Sequence, residues 1–152
     1  MDRVVIIGSG AAGLSAAIRL AEENVPSFIV EEMPPWRAQS NMAEGGINAA
    51  LDTMGQHDEP ALHEEETYKA GRFVACREAV HRLTHSAPKI VNTLFAWGMS
   101  LNLNEDGTIQ QRPFGGQTKK RTAFASASTG KQLMYTCLLY TSDAADDLTR
   151  VD

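Results

Sequence analysis

The stretch Val4-Val5-Ile6-Ile7-Gly8-Ser9-Gly10-Ala11-Ala12-Gly13-Leu14 joins an apolar run to a turn that contains three glycines. The turn is followed by apolar residues spaced to share one helical face, namely Leu14, Ala17, Ile18 and Ala21. A second apolar run, residues 28–30, ends at Glu31. This order of strand, glycine turn, helix and strand predicts the first half of a dinucleotide-binding unit.

Each position in the turn has a chemical reason. Gly8 lets the chain leave the strand tightly, and Gly10 has no Cβ, so a pyrophosphate can approach the backbone. Gly13 lets the helix pack close to the sheet. The helix start offers unpaired N–H groups and the positive end of a dipole to phosphates. Glu31 is expected at the carboxyl end of the second strand, where a carboxylate accepts hydrogen bonds from ribose hydroxyls.

Length and composition are those of one globular domain: 152 residues, 43% hydrophobic and 22% charged. We expect no membrane-spanning segment, no signal peptide and a cytoplasmic location, because no apolar stretch is long enough and the first strand begins at the N-terminus. The net charge is -5 without a basic stripe, which argues against nucleic-acid binding. Cys76 and Cys137 lack metal or redox spacing and are expected to be reduced thiols.

Three helices and a hairpin are predicted after residue 57. The helical patterns span Asp58–Gly71, Arg77–Ser86 and Pro88–Gly98. The hairpin pairs residues 99–103 with residues 108–111 through a turn that contains Asp106-Gly107. Before them, Gly45-Gly46 stands among small residues, which suits a backbone lying against a flat ligand ring. A helix with a glycine break is the alternative for that segment, and the segment taken alone favours that helix.

Histidines and a short basic run are candidate sites of another kind. His81 and His85 are four residues apart, so on a helix they would share a face and could ligate a metal. No third ligand with suitable spacing is evident, so we expect surface or helix-capping histidines, His57 and His63 included, and no metal site. The run at residues 119–121, Lys-Lys-Arg, predicts a solvated loop rather than an anion site.

Over residues 1–136 the chain resembles the N-terminal region of the succinate dehydrogenase/fumarate reductase flavoprotein family, which includes L-aspartate oxidase. The motifs that carry the resemblance agree in order and spacing: Val5 to Leu14, Ala43-Glu44-Gly45-Gly46-Ile47-Asn48-Ala49-Ala50, Ala87-Pro88, Gly98, Asp106-Gly107, Gln111-Arg112-Pro113-Phe114-Gly115-Gly116 and Thr129-Gly130-Lys131-Gln132-Leu133. The fold it implies is an incomplete Rossmann-like FAD-binding domain of the α/β class, with a β-α-β start followed by helices and a β-hairpin.

The resemblance implies FAD in the nucleotide site and assigns residues to its parts. The pyrophosphate would be held by Gly8, Gly10, Ala11, Ala12 and Gly13. The adenosine ribose would be bound by Glu31, and two residues would lie near the phosphates, Ala38 and Ser40. The isoalloxazine would lie against Gly45 and Gly46. A bound dicarboxylate would lie beside Gly45 and Phe114.

Two departures from the family pattern are informative. Gln39 stands where membrane-bound members carry the histidine that attaches covalently to flavin, so the resemblance implies non-covalent FAD. Lys131 stands where respiratory members usually have histidine. Both departures argue against the respiratory branch and favour a soluble enzyme that reduces fumarate or oxidises an amino acid. The first choice is a fumarate reductase/succinate dehydrogenase-type enzyme that acts on a C4 dicarboxylate, and an electron-transfer partner is expected. L-aspartate oxidase is the alternative enzyme.

The family's catalytic arginines and substrate histidines have no counterpart here, so we assign no catalytic residue. The fragment alone is expected to be inactive, and the non-enzyme alternative is a fragment that only binds nucleotide or does not fold stably. An open parallel sheet also needs a third strand beside the first, so we expect apolar surface to be left exposed.

Residues 137–152 match nothing in the family and are expected to be a foreign tail on a truncated reading frame. A divergent natural terminus is the alternative for that tail.

Overall fold

The computed structural model describes residues 3–148, and the side chains of residues 3–141. The chain divides into two compact units. The first contains the described residues up to Ala43 and those from Gly130 onward, and the second spans Glu44–Thr129.

The first unit begins with the predicted strand, helix and strand. They are β1 (Val4–Ile7), α1 (Ala11–Glu22) and β2 (Ser27–Val30). β1 and β2 pair in parallel, with Val4 opposite Ser27 and Ile7 opposite Val30. The apolar stripe of α1 is buried through Leu14, Ala17 and Ile18. The β-α-β start and the α/β fold class are therefore confirmed.

The sheet of the first unit has two strands in the part of the chain that the structure describes. Its apolar residues stay largely exposed: Val5 by 52%, Ile7 by 89% and Val30 by 49%. Strands of a parallel sheet are normally buried on both faces. The uncovered apolar surface that the sequence predicts is therefore present.

After β2 the first unit contains two short 3-10 helices, Pro35–Arg37 and Gln39–Met42, and later the long helix α4 (Thr129–Leu148). Gly130, in the first turn of α4, lies against the backbone around the second 3-10 helix, and its N–H donates to the Ala43 carbonyl at 2.6 Å. A Cβ on Gly130 would lie 2.2 Å from the Ser40 carbonyl oxygen. Helix α4 continues past residue 136, across the start of the expected foreign tail. The last four residues of that tail lie outside the described residues.

The second unit holds a small antiparallel sheet beside two helices. Strands β3 (Ile47–Asn48), β4 (Gln111–Arg112) and β5 (Thr122–Ala123) pair in the order β3-β5-β4. The alternative of a glycine-broken helix around Gly45-Gly46 is therefore wrong, because the residues that follow form β3. The apolar core consists of Ala49, Ala87, Val91, Ile109 and Ala123, with Ile47, Leu51 and Leu101 packed against it.

Helix α2 (Pro60–Ala70) has Pro60 in its first turn and ends at Gly71, close to the predicted bounds. The next two predicted helices are one helix, α3 (Arg77–Ala96), with Pro88 inside it. An interior proline costs about 3 kcal/mol through its missing N–H and its ring clash. Burial of apolar residues on both sides of the proline, Val80, Ala87, Val91 and Leu94, offsets that cost.

The predicted hairpin is much shorter than expected. Leu103 and Ile109 form an isolated antiparallel bridge around the turn, and the Asn104 N–H donates to the Thr108 carbonyl at 2.8 Å. Residues 99–102 form no strand, and β4 begins only at Gln111 and pairs with β5. Pairing with the distant β5 thus replaces most of the local pairing that the sequence predicted.

Arg121 is buried, which corrects the expectation of a solvated basic loop. Its guanidinium is fully enclosed and donates to both carboxylate oxygens of Asp58, at 2.8 and 3.1 Å. Glu66 lies on the other side, 2.9 Å from Nη1. His63 on α2 is also buried, contrary to the expectation of a surface or capping residue, and burial lowers the pKa of its imidazole. The ion pairs with Asp58 and Glu66 explain how the charged side chain of Arg121 can be enclosed.

None of the helices in residues 3–148 combines the length and the apolar character needed to cross a membrane.

Candidate functional site

The glycine turn of the first unit has the geometry that its sequence predicts. Gly8 has φ +102°, a conformation that favours glycine over residues with a side chain. Gly10 is the N-cap of α1 in an extended conformation, and as a glycine it provides no capping hydrogen bond of its own. A Cβ at Gly13 would lie only 1.9 Å from the Gly8 carbonyl oxygen, so α1 packs against the turn in a way that only glycine permits.

Ser40, which the family resemblance places near the phosphates, lies against this turn. The Ala11 N–H donates to Ser40 Oγ at 3.2 Å, and a Cβ at Gly10 would lie 3.3 Å from the same oxygen. Ala12, the next helical residue, also lies in the first turn, where N–H groups have no acceptor within the helix. Ala38 joins the two 3-10 helices in an extended conformation. In the first unit, the N–H groups at the start of α1 and the hydroxyl of Ser40 therefore lie next to the glycine turn.

Glu31 stands at the end of β2 beside the same turn. Its carboxylate accepts a hydrogen bond from the Ser9 N–H, and this bond lowers the pKa of Glu31. A cleft of about 550 Å³ adjoins this position, lined by Ser9, Glu31, the segment 32–35 and residues of α4. A carboxylate has about four lone-pair sites on its two oxygens, so Glu31 keeps acceptor capacity at the edge of the cleft in addition to its bond with Ser9.

Because the hydrogen bond from Ser9 lowers the pKa of Glu31, the contribution of Glu31 to the stability of the fold depends on pH. A carboxyl group whose pKa is lowered on folding stabilises the fold above the unfolded-state pKa, about 4.3, and loses that effect as the pH falls through the folded value. Glu31→Gln should therefore lower the melting temperature at pH 7, and the difference should shrink steadily below about pH 4.3. Thermal melts of both proteins from pH 7 to pH 3 would test this. A difference that does not change with pH would contradict it.

The second unit brings Gly45, Gly46 and Phe114 together, three residues that the family resemblance places around a ring and a substrate. A Cβ at Gly45 would lie 3.1 Å from Phe114 Cζ. Gly46 has φ +119°, and a Cβ there would lie 2.5 Å from Thr122 Cγ2. The backbone is thus held flat against its neighbours, and the Phe114 ring is half exposed beside it.

Arg112 is the residue of this site that sequence reasoning did not single out. Its guanidinium donates to the carbonyl oxygens of Gly45 at 2.6 Å and Glu44 at 3.2 Å. It also lies over the Phe124 ring, 4.4 Å from the centroid. In the sequence, only the position of Arg112 directly before Pro113-Phe114 pointed to a role in this site. Its hydrogen-bond partners, Glu44 and Gly45, are more than sixty residues away along the chain.

Comparison with known proteins identifies the family. The family model described as "FAD binding domain" matches residues 3–149. The succinate dehydrogenase flavoprotein subunit of Bacillus subtilis is 37% identical over 132 residues, which are 87% of this chain and 22% of that protein. The fumarate reductase flavoprotein subunit of Mycobacterium tuberculosis is 38% identical over 135 residues, which are 88% of this chain and 23% of that protein.

Solved structures agree with this result. The Mycobacterium smegmatis Sdh1 complex in its apo form contains a chain that matches 99% of this one with a TM-score of 0.93 and 30% identity. The match covers 26% of that chain. This protein thus spans about a quarter of the length of the relatives that it matches. The chain belongs to the FAD binding domain family, its relatives there are succinate dehydrogenase and fumarate reductase flavoproteins, and its cofactor is FAD.

Proposed function

We propose that this chain forms part of the FAD site and of the dicarboxylate site of a fumarate reductase/succinate dehydrogenase-type oxidoreductase. The observation that carries the proposal is the contact between the Gly45 backbone and the Phe114 ring in the second unit. The resemblance assigns these same two residues to the bound dicarboxylate. They lie 69 positions apart in the sequence, so their contact does not follow from local structure.

The residues of the first unit fit the adenosine and pyrophosphate half of FAD. Gly13 leaves no room for a side chain where α1 packs on the turn, and Gly8 has a positive φ that favours glycine. Phosphates are favoured next to the start of α1. Ser40 Oγ accepts from Ala11 and keeps its own O–H to donate to a phosphate oxygen. Glu31 offers an acceptor to the ribose hydroxyls, and the adjoining cleft is large enough for the adenosine.

The second unit would position the flavin ring and the substrate. When bound, FAD supplies hydride exchange with the carbon–carbon bond of a C4 dicarboxylate. Arg112 fixes the carbonyl groups of Glu44 and Gly45, so the glycine pair keeps its shape. Phe114 offers an apolar surface that excludes water beside Gly45. Gly46 lets the backbone lie flat because no side chain projects from it.

The flavin should be bound without a covalent link, because Gln39 has no ring nitrogen to form one. Precipitation with acid should therefore release all of the FAD into the supernatant, where its absorbance can be measured. Flavin that remains with the precipitated protein would contradict this prediction. Gln39→His is the informative comparison, since it restores the residue that covalent members carry at this position.

This chain alone should show no turnover. The residues assigned here bind, orient and exclude water, but none of them is placed to give or take the substrate proton. An assay with reduced viologen and fumarate, on the chain loaded with FAD, should show no oxidation above the rate of free FAD. Measurable fumarate reduction would overturn this prediction.

L-aspartate oxidase is the competing enzyme, because a non-covalent flavin and the Gly45–Phe114 contact suit it equally. A longer gene product that includes the downstream coding sequence would separate the two. We expect that protein to reduce fumarate and not to oxidise L-aspartate. Oxidation of aspartate with release of ammonia would instead identify an L-aspartate oxidase. FAD binding without either activity would support the hypothesis of a protein that only binds the nucleotide.

A further inference from the structure

Two histidines of α3 and one glutamate of α2 meet on the surface of the second unit. His81 Nδ1 lies 2.8 Å from Glu64 Oε2, and His85 Nε2 lies 3.2 Å from the same oxygen. The two imidazole rings stack with their centroids 4.0 Å apart. The three potential ligand atoms all lie within 4.8 Å of one another. The third ligand was not evident in the sequence because Glu64 is 17 residues before His81 and on another helix.

The geometry is close to that of a metal site with three protein ligands. Tetrahedral zinc with bonds of about 2.0–2.2 Å holds its ligand atoms roughly 3.3 Å apart, and two histidines with one glutamate form a known ligand set for this ion. The observed distances from Glu64 Oε2 to the two ring nitrogens lie near this value. Small rotations of the exposed rings would therefore be enough to place one ion between the three side chains.

Burial and charge also suit a cation. The Glu64 side chain is only 16% exposed, so its surroundings hold the carboxylate in place. The side chains of His81 and His85 are 55% and 39% exposed, so water can reach the ion and complete its coordination. The carboxylate supplies a negative charge, and carboxylate oxygens and imidazole nitrogens are ligands that zinc accepts. Arg77 is the competing positive charge, with Nε 3.7 Å from Oε1, the other carboxylate oxygen.

We propose that Glu64, His81 and His85 bind a zinc ion that links α2 to α3. The ion would replace two hydrogen bonds by bonds to the metal and would join helices that are separate in sequence. Because α2 also supplies Glu66 to the buried Arg121 pair, the site would stabilise the second unit. The proposal is independent of the proposed function, since none of its three ligands belongs to the residues assigned to FAD or dicarboxylate.

The test uses the complete 152-residue chain without an affinity tag, freed of metal by a chelator. We expect one Zn²⁺ per chain by calorimetry and a rise in melting temperature of about 5 °C at saturating Zn²⁺. Co²⁺ should give the intense visible absorption of a four-coordinate ion, which zinc displaces. Glu64→Gln, His81→Gln and His85→Gln should each weaken Zn²⁺ binding by on the order of a hundredfold.

Two variants keep the test decisive. His57→Asn removes an exposed imidazole outside the cluster, and its φ of +56° is one that asparagine tolerates, so Zn²⁺ binding should not change. Arg77→Gln removes the competing charge and should tighten binding severalfold. Equal Zn²⁺ affinity in the folded wild type and the three ligand variants would overturn the proposal. Weaker binding in Arg77→Gln would also overturn it.

Discussion

Replacing Gly13 by alanine should abolish tight FAD binding and strongly destabilise the first unit. The added Cβ would lie 1.9 Å from the Gly8 carbonyl oxygen, which is a backbone atom, and the backbone of Gly13 fixes the position of the Cβ itself. Neither can rotate away, so α1 must move off the turn. We expect a loss of about 3 kcal/mol in the free energy of unfolding, at the upper end for overpacking, and an increase of at least about tenfold in the Kd for FAD.

The matched control for this variant is Gly71→Ala. Gly71 has φ -74°, and its added Cβ would have ordinary contacts, the nearest at 3.5 Å. Urea denaturation and flavin fluorescence titration should therefore show little change for Gly71→Ala. If Gly13→Ala bound FAD as tightly as the control, the pyrophosphate would not lie at this turn.

Arg121→Met should destabilise the second unit by about 3–5 kcal/mol, the usual cost of removing one partner of a buried ion pair. Asp58 is 8% exposed and would lose its bidentate partner, and the Glu66 carboxylate would lose its nearest cation. Two carboxylates would then be left with little water around them. Urea denaturation followed by circular dichroism would measure the loss.

Two further variants show whether charge causes this effect. The triple variant Arg121→Met, Asp58→Asn and Glu66→Gln removes all three charges and should recover part of the lost stability. Arg82→Ala breaks the exposed pair with Glu78 and should leave the midpoint nearly unchanged. If Arg121→Met were as mild as Arg82→Ala, the buried pair would not support the fold.

The secondary-structure predictions that succeeded rest on neighbours in the sequence. The turn at Gly8, helix α1 and the position of Glu31 follow from spacing within one β-α-β unit, where each residue type has a local reason. Helix α2 was predicted for the same reason, from Pro60 at its start and Gly71 at its end. Local signals of this kind can be read without knowing how distant parts of the chain meet.

The predictions that failed depend on contacts between distant residues. Pro88 indicated a helix boundary, but the packing of Ala87 and Val91 in the core keeps α3 continuous. Arg121 looked solvated because its partner Asp58 is 63 positions away. Glu64 was missed beside the two histidines for the same reason. A sequence pattern shows which groups are present, and only the fold shows which of them meet.

The central claim is that the turn from Gly8 to Gly13, with Glu31, holds the adenosine diphosphate half of FAD. The most direct measurement is an equilibrium titration of FAD into this chain, followed by flavin fluorescence, with ADP and 2′-phospho-ADP as competitors. We predict saturable binding of one FAD per chain, displaced by ADP but poorly by 2′-phospho-ADP, because Glu31 repels a 2′-phosphate. Absence of saturable binding, or equal displacement by the two competitors, would contradict the claim.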